Sequence, residues 1–130
     1  ASAVDSSKVC YIDISSFRQL ISKNAAFANE LILFLCHDEL SYFSRFVNVH
    51  QKQIDGRLAD CLLFFSDKVY QSRRFIIPLK RYDLAALVCS TRESVTRAIK
   101  DLIDIKTIAV QGRHFEILNY DLLRKISEKG

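Results

Sequence analysis

The residues most suited to chemistry lie in one short stretch, Arg92-Glu93-Ser94-Val95-Thr96-Arg97, continuing through Lys100. Stepping about 100° per residue along a helix places Arg92, Thr96, Lys100, Glu93 and Arg97 within an arc of about 140°. Val95, Ala98, Ile99 and Leu102 fall on the opposite side. One face is thus polar and carries long hydrogen-bonding side chains, while the other is apolar and fit to pack. An arginine fork matches guanine O6 and N7, and a glutamate accepts from cytosine N4, so Arg92, Glu93 and Arg97 are candidate base readers in a major groove. A merely solvated helix face has the same periodicity, so the neighbouring elements must decide between the two.

Other chemistries find less support. Cys10, Cys36, Cys61 and Cys89 are widely spaced with no CxxC pair, unlike zinc ligands or redox dithiols. Each has a large apolar neighbour in sequence (Val9, Leu35, Leu62, Val88), which suggests four small buried hydrophobes. His37 and His50 fall on a long helical stretch, where surface or interface positions are commoner than ligands. No nucleophile–base motif or phosphate-binding loop occurs, so no catalytic residue, metal site or cofactor is assigned, and an enzyme is the weakest class.

The elements around Arg92 form an ordered series. Arg81–Val88 carries apolar Leu84, Ala85, Leu87 and Val88; Cys89-Ser90 makes a turn, and Thr91 caps a helix over Arg92–Ile103. Thr107–Val110, a turn at 111–114 and Phe115–Leu118 read as strand, turn, strand, and Asn119 or Asp121 caps a last helix through Ile126. Helix, helix, hairpin is the order of a winged helix-turn-helix. Upstream, Phe75–Ile77 is a short strand closed by Pro78, 67–74 is polar and irregular, and Ile54–Phe65 is an amphipathic helix with Asp55 as its N-cap. The stretch from Asn24 to Lys52 has no Gly or Pro and gives a helix of roughly 29 residues, about 43 Å long. Its apolar positions include Phe27, Leu31, Leu35, Tyr42 and Phe46 with Ile32, Leu40, Phe43 and Val47 alongside, which demands burial on more than one side. A second copy would supply it, and so would a further domain of the same chain. Lys8–Ile14 is β-branched and aromatic, the pattern of a short strand, followed by a helical segment through Ile21.

Composition bounds the class. With 130 residues, 49% hydrophobic and only three Gly and one Pro, the chain is neither disordered nor collagen-like. The apolar run Leu31–Cys36 stops at His37-Asp38-Glu39, too short for a membrane span, and the start lacks the pattern of a secretory signal. The expected setting is therefore cytoplasmic, with no membrane partner. The net charge of +4 is unevenly placed: residues 73–130 hold twelve Lys and Arg against seven Asp and Glu, residues 1–72 seven against eight. A basic second half suits a polyanion.

Arg92-Glu93-Ser94-Val95-Thr96-Arg97 resembles the R-E-[TS]-V-[ST]-R recognition-helix signature of the Crp–Fnr family of bacterial transcription regulators. The likeness extends in register through Ile54–Ala59 with Leu62-Leu63, through Phe75–Ala85, and through Gly112-Arg113 and Phe115–Leu118, covering residues 54–126. The resemblance implies a mainly α fold with a small antiparallel β-wing, a long dimerisation helix followed by a winged helix-turn-helix domain. It divides the chain into 1–23, the end of an effector β-roll; 24–52, the dimerisation helix; and 53–130, the DNA-binding domain. It also implies a homodimer on double-stranded DNA with a near-palindromic operator, and RNA polymerase as a partner of the full regulator. Arg92, Glu93 and Arg97 match the base-contacting positions. Lys80, Arg81, Thr91, Thr96, Lys100, Arg113 and His114 form the expected phosphate contacts, and Phe27, Leu31, Leu35, Tyr42 and Phe46 the dimer seam.

Three positions depart from the family pattern. Cys89 stands where the turn usually has glycine, Lys80 where a capping Thr is usual, and Thr107 where an apolar residue precedes the wing. No glycine-rich phosphate-binding segment or clustered cysteine ligands occur, so neither a cyclic nucleotide nor an iron–sulfur cluster is expected here. The competing reading is a winged helix that binds another protein and has no DNA target.

Overall fold

The computed structural model describes residues 6–130, apart from the side chains of residues 44 and 45. The chain divides into two compact units, Ala1–Val47 and Asn48–Gly130.

In the first unit, residues 6–13 are irregular and exposed rather than a strand. A lone strand has no ladder to join among the described residues, and without partners its backbone gains nothing from extension. Helix α1 (Ile14–Lys23) begins instead at Asp13, whose carboxylate accepts from the Ser16 N–H at 2.9 Å and from the Ser15 hydroxyl. Helix α2 (Ala25–Gln51) follows after the single residue Asn24. That residue serves both helices: its N–H closes α1 on the Leu20 carbonyl at 3.0 Å, and its Oδ1 caps α2 at the Phe27 N–H, also 3.0 Å. The rings of Phe17 and Phe27 meet edge to face at 6.2 Å across this joint.

The second unit holds the core. Helix α3 (Ile54–Phe64) buries Leu58, Ala59 and Leu62 completely. Its N-cap is Gln53, and Asp55 lies inside the first turn rather than at the cap. The polar stretch after it is not wholly irregular, since a π-helical segment runs from Phe65 to Tyr70. The wider π winding aligns residues five apart, which the polar residues between had hidden in the sequence. Phe65 and Tyr70 accordingly approach to 6.3 Å, both beside Phe75.

Strand β1 (Arg74–Ile76), β2 (Ile108–Gln111) and β3 (His114–Ile117) form one antiparallel sheet in the order β1-β3-β2. The sheet thus has three strands, with Phe75 opposite Phe115 and Val110 opposite Phe115 on the other side. Their rings make a column, Tyr70 on Phe75 at 5.7 Å and Phe75 on Phe115 at 6.2 Å, both pairs nearly parallel. Helix α5 (Arg92–Asp104) packs beside β2 and against α4 (Arg81–Leu87), and α6 (Tyr120–Lys129) lies on α3. Gly56 makes the α3–α6 approach possible, because a Cβ there would sit 2.6 Å from the Gly130 Cα.

Asp60 on α3 ties this end together. It accepts from Lys52 Nζ at 2.6 Å, Asn48 Nδ2 at 3.2 Å and the Ser127 hydroxyl. The fold is therefore mainly helical, with a small antiparallel wing.

Candidate nucleic-acid interface

The face of α5 opposite the core is built as its periodicity requires. Val95, Ala98, Ile99 and Leu102 are at most 5% exposed, while Arg92, Glu93, Thr96, Arg97 and Lys100 are all exposed. Thr91 caps the helix: its Oγ1 accepts from the Ser94 N–H at 3.2 Å and its hydroxyl donates to Ser94 Oγ at 3.0 Å. The Thr96 hydroxyl donates to the Arg92 carbonyl at 2.7 Å, so this side chain lies against its own helix. Arg92, Glu93, Arg97 and Lys100 form no ion pair among the described residues. Their charge is therefore available to a ligand rather than neutralised internally.

The turn before α5 is a helix C-terminal motif. The Cys89 N–H donates to the Ala86 carbonyl at 3.1 Å and the Ser90 N–H to the Ala85 carbonyl at 2.9 Å, the paired bonds of a Schellman motif. That geometry puts Cys89 at φ +51°, the left-handed region where glycine is favoured. The strain is held by Arg57, whose Nη1 donates to the Cys89 carbonyl at 3.2 Å. Arg57 has no part in the sequence reading of the site, although its long side chain on the first DNA-domain helix could have suggested an anchor.

The N-terminus of α4 has only half of a reciprocal cap. The Lys80 N–H donates to Asp83 Oδ2 at 3.1 Å, but an ammonium side chain has nothing with which to accept in return. The Lys80 side chain stays exposed. Beside it, Arg81 is half-buried: Nη2 reaches the Gly112 carbonyl at 3.4 Å and the guanidinium lies 5.3 Å from the Phe115 ring centre. Burial pulls this guanidinium below its ordinary pKa. It remains cationic at any ordinary pH.

The wing turn is Gly112-Arg113, with Gly112 at φ +61°. These pieces meet around one open groove of about 440 Å³, lined by Lys80, Arg81, Arg92 and Arg113 together with Leu79, Tyr82 and Gly112. Four cations from three separate elements thus share one surface. His114 does not join them. Along β3 the buried residues are Phe115 and Ile117, and His114 lies with Arg74 and Glu116 in a separate cleft of about 320 Å³. Tyr82, 73% exposed, lines the cation groove and was not singled out by the sequence.

The cysteines are a correction. Cys10, Cys36 and Cys89 are exposed and only Cys61 is partly covered. Adjacent residues on a helix point about 100° apart, so an apolar sequence neighbour does not bring burial. Thr107, by contrast, is fully buried, and its hydroxyl has no hydrogen-bond partner among the described residues.

The model of the Crp-like helix-turn-helix domain matches residues 56–126, more than half of the chain. The chain belongs to the Crp–Fnr family. That family consists of DNA-binding transcription regulators rather than enzymes. Among curated proteins no sequence matches it. Among solved structures, FixK2 from Bradyrhizobium japonicum superposes with a TM-score of 0.81 at 19% identity, over 86% of this chain and 57% of that one. The CRP/FNR-family transcriptional regulator TTHA1359 from Thermus thermophilus gives 0.71 at 22% identity, over 80% and 56%. A CooA mutant from Carboxydothermus hydrogenoformans gives 0.73 at 20% identity, over 88% and 55%. At these identities the likeness is one of fold, and the chain spans little more than half the length of each. Among the described residues no helix is long and apolar enough to cross a membrane.

Proposed function

We propose that the protein is a homodimeric cytoplasmic regulator that binds a near-palindromic operator, with α5 of each copy in a major groove. The supporting observation is the groove that gathers Lys80, Arg81, Arg92 and Arg113 beside the exposed polar face of α5. In this reading Arg92, Glu93 and Arg97 read base edges, while Lys80, Thr91, Thr96, Lys100 and Arg113 meet the phosphates. His114, on the other face of the sheet, lies outside this contact set. The first residues, 1–23, would belong to the end of an effector domain, and RNA polymerase would be a partner of the whole regulator. Dimerisation runs along α2 through Phe27, Leu31, Leu35, Tyr42 and Phe46, of which the last three are more than half exposed in the single chain. Half-sites then lie about one helical turn of DNA apart.

Selection of bound sequences from a random duplex library provides the site for a quantitative test. Arg92→Ala and Arg97→Ala should each lose about 1–3 kcal/mol on that site and relax base preference at one position. Lys80→Ala should weaken all sequences alike and reduce the salt dependence by about one unit per protomer, about two for the dimer. Undiminished, equally selective binding by both arginine variants would overturn the assignment of α5.

A further inference from the structure

Arg81 is placed unlike the other cations of the groove. Its guanidinium lies over Phe115, which is 3% exposed and fixed in the column formed with Phe75 and Tyr70. Its Nη2 meets the carbonyl of Gly112, and that carbonyl belongs to the central peptide of the two-residue wing turn. Rotating this peptide by half a turn interconverts the two families of tight hairpin turn. One family needs both central residues left-handed, the other only the first. Gly112 is left-handed at φ +61° and Arg113 is not, which selects the glycine-first family. The Arg113 carbonyl is held separately by the Ile77 N–H at 2.9 Å. The carbonyl of the peptide between Gly112 and Arg113 receives its side-chain hydrogen bond from Arg81, which adds to the backbone preference of the turn.

We propose that Arg81 is a positioning residue for the wing: it fixes the Gly112–Arg113 peptide so that Arg113, across the groove from Lys80 and Arg92, makes the phosphate contact on this edge. The inference rests on the DNA-binding reading above and deepens it: Arg81, which the sequence places among the phosphate contacts, acts instead through Arg113, which keeps its own contact. A guanidinium that stacks on a ring while donating to a carbonyl uses the planar fork that lysine lacks. Arg81→Lys therefore separates the two roles, because an ammonium keeps a direct phosphate contact but not the stacked clamp.

The test is a double-mutant cycle with the full chain, measuring affinity for a mixed-sequence duplex pool as a function of salt. Loss of one phosphate contact lowers the salt slope by about one unit and weakens binding roughly tenfold near 0.1 M salt. A mere loss of folded protein lowers apparent affinity without changing that slope. Arg81→Ala, Arg81→Lys and Arg113→Ala should each lower the slope by about one unit per protomer, about two for the dimer, and Arg81→Ala with Arg113→Ala should lower it no further. In the free protein, the Arg113 amide resonance should shift in both Arg81 variants. Slopes that add in the double variant, or a wild-type slope in Arg81→Lys, would overturn the proposal, as would an Arg113 amide unmoved in Arg81→Ala. Failure of the wild type to bind duplex would overturn the DNA-binding reading, and the amide resonance would still report on the clamp.

Discussion

Helices α2 and α5 both mix apolar and polar residues, yet they stand in opposite conditions. On α5 the two kinds separate cleanly, and its apolar side is closed over by Leu58, Ile108 and the other core residues of the same unit. On α2 the apolar residues run all round the helix, and Ile32, Leu33, Phe34, Leu35, Leu40, Tyr42, Phe43 and Phe46 are each more than half exposed. A helix apolar on every side is stable in water only when covered. The contrast shows where the chain is sufficient to itself: the winged unit completes its own core, while α2 carries apolar surface suited to an interface.

The largest effect that could break this contrast is a matched pair of truncations. Leu62→Ala in the winged core should cost about 2–5 kcal/mol of unfolding free energy, because a fully buried side chain leaves a cavity that its neighbours fill incompletely. Leu35→Ala on α2 should change the stability of the winged unit by less than about 0.5 kcal/mol. In the proposed dimer it should instead shift sedimentation toward monomer. Equal losses of stability in the two variants, or an unchanged association state in the second, would erase the distinction.

Within the winged unit, two residues oppose the consistency of their surroundings. Thr107→Val removes a buried hydroxyl that has no partner among the described residues, and Cys89→Gly relieves a left-handed residue at a helix C-terminus. Each should raise the unfolding midpoint, by about 1 kcal/mol in free energy. Chemical denaturation of the single and double variants measures this, and additivity is expected because the two sites lie in different turns. A loss of stability in either variant would show that its local geometry is needed elsewhere.

The smallest effect is one of pH. The Tyr120 hydroxyl donates to Asp67 Oδ2 at 2.6 Å, and this bond first, with burial second, raises its pKa above the ordinary 10.0. A group raised on folding contributes its stabilisation fully below the unfolded value and loses it as pH climbs through the folded one. Stability should therefore decline above about pH 10 in the wild type. Tyr120→Phe should flatten that part of the profile, and an identical alkaline slope in both proteins would show that the Asp67 bond does not persist in solution.

Much of this architecture was legible before the structure. The polar and apolar arcs of α5, the caps at Asn24, Thr91 and Asn119, and the hairpin around Gly112 each depend on residues within a few positions of one another. Local periodicity and backbone preference act over that range, so sequence alone determined the helix order, the wing and the exposed cation face. Other features depend on contacts between distant positions, and only the tertiary structure decided them. No pattern near Val9–Ile14 could reveal that a strand there finds no ladder, nor could the neighbours of Cys36 or Cys89 reveal which way the thiols point. The π winding at Phe65–Tyr70 brings its two rings beside Phe75, a partner outside the segment. The place of Arg81 over Phe115, and of His114 on the far side of the sheet, follows from a pairing register that joins residues some forty positions apart. A propensity is a property of a segment, whereas burial and the partner of a hydrogen bond belong to the closed core, and a linear pattern does not contain them.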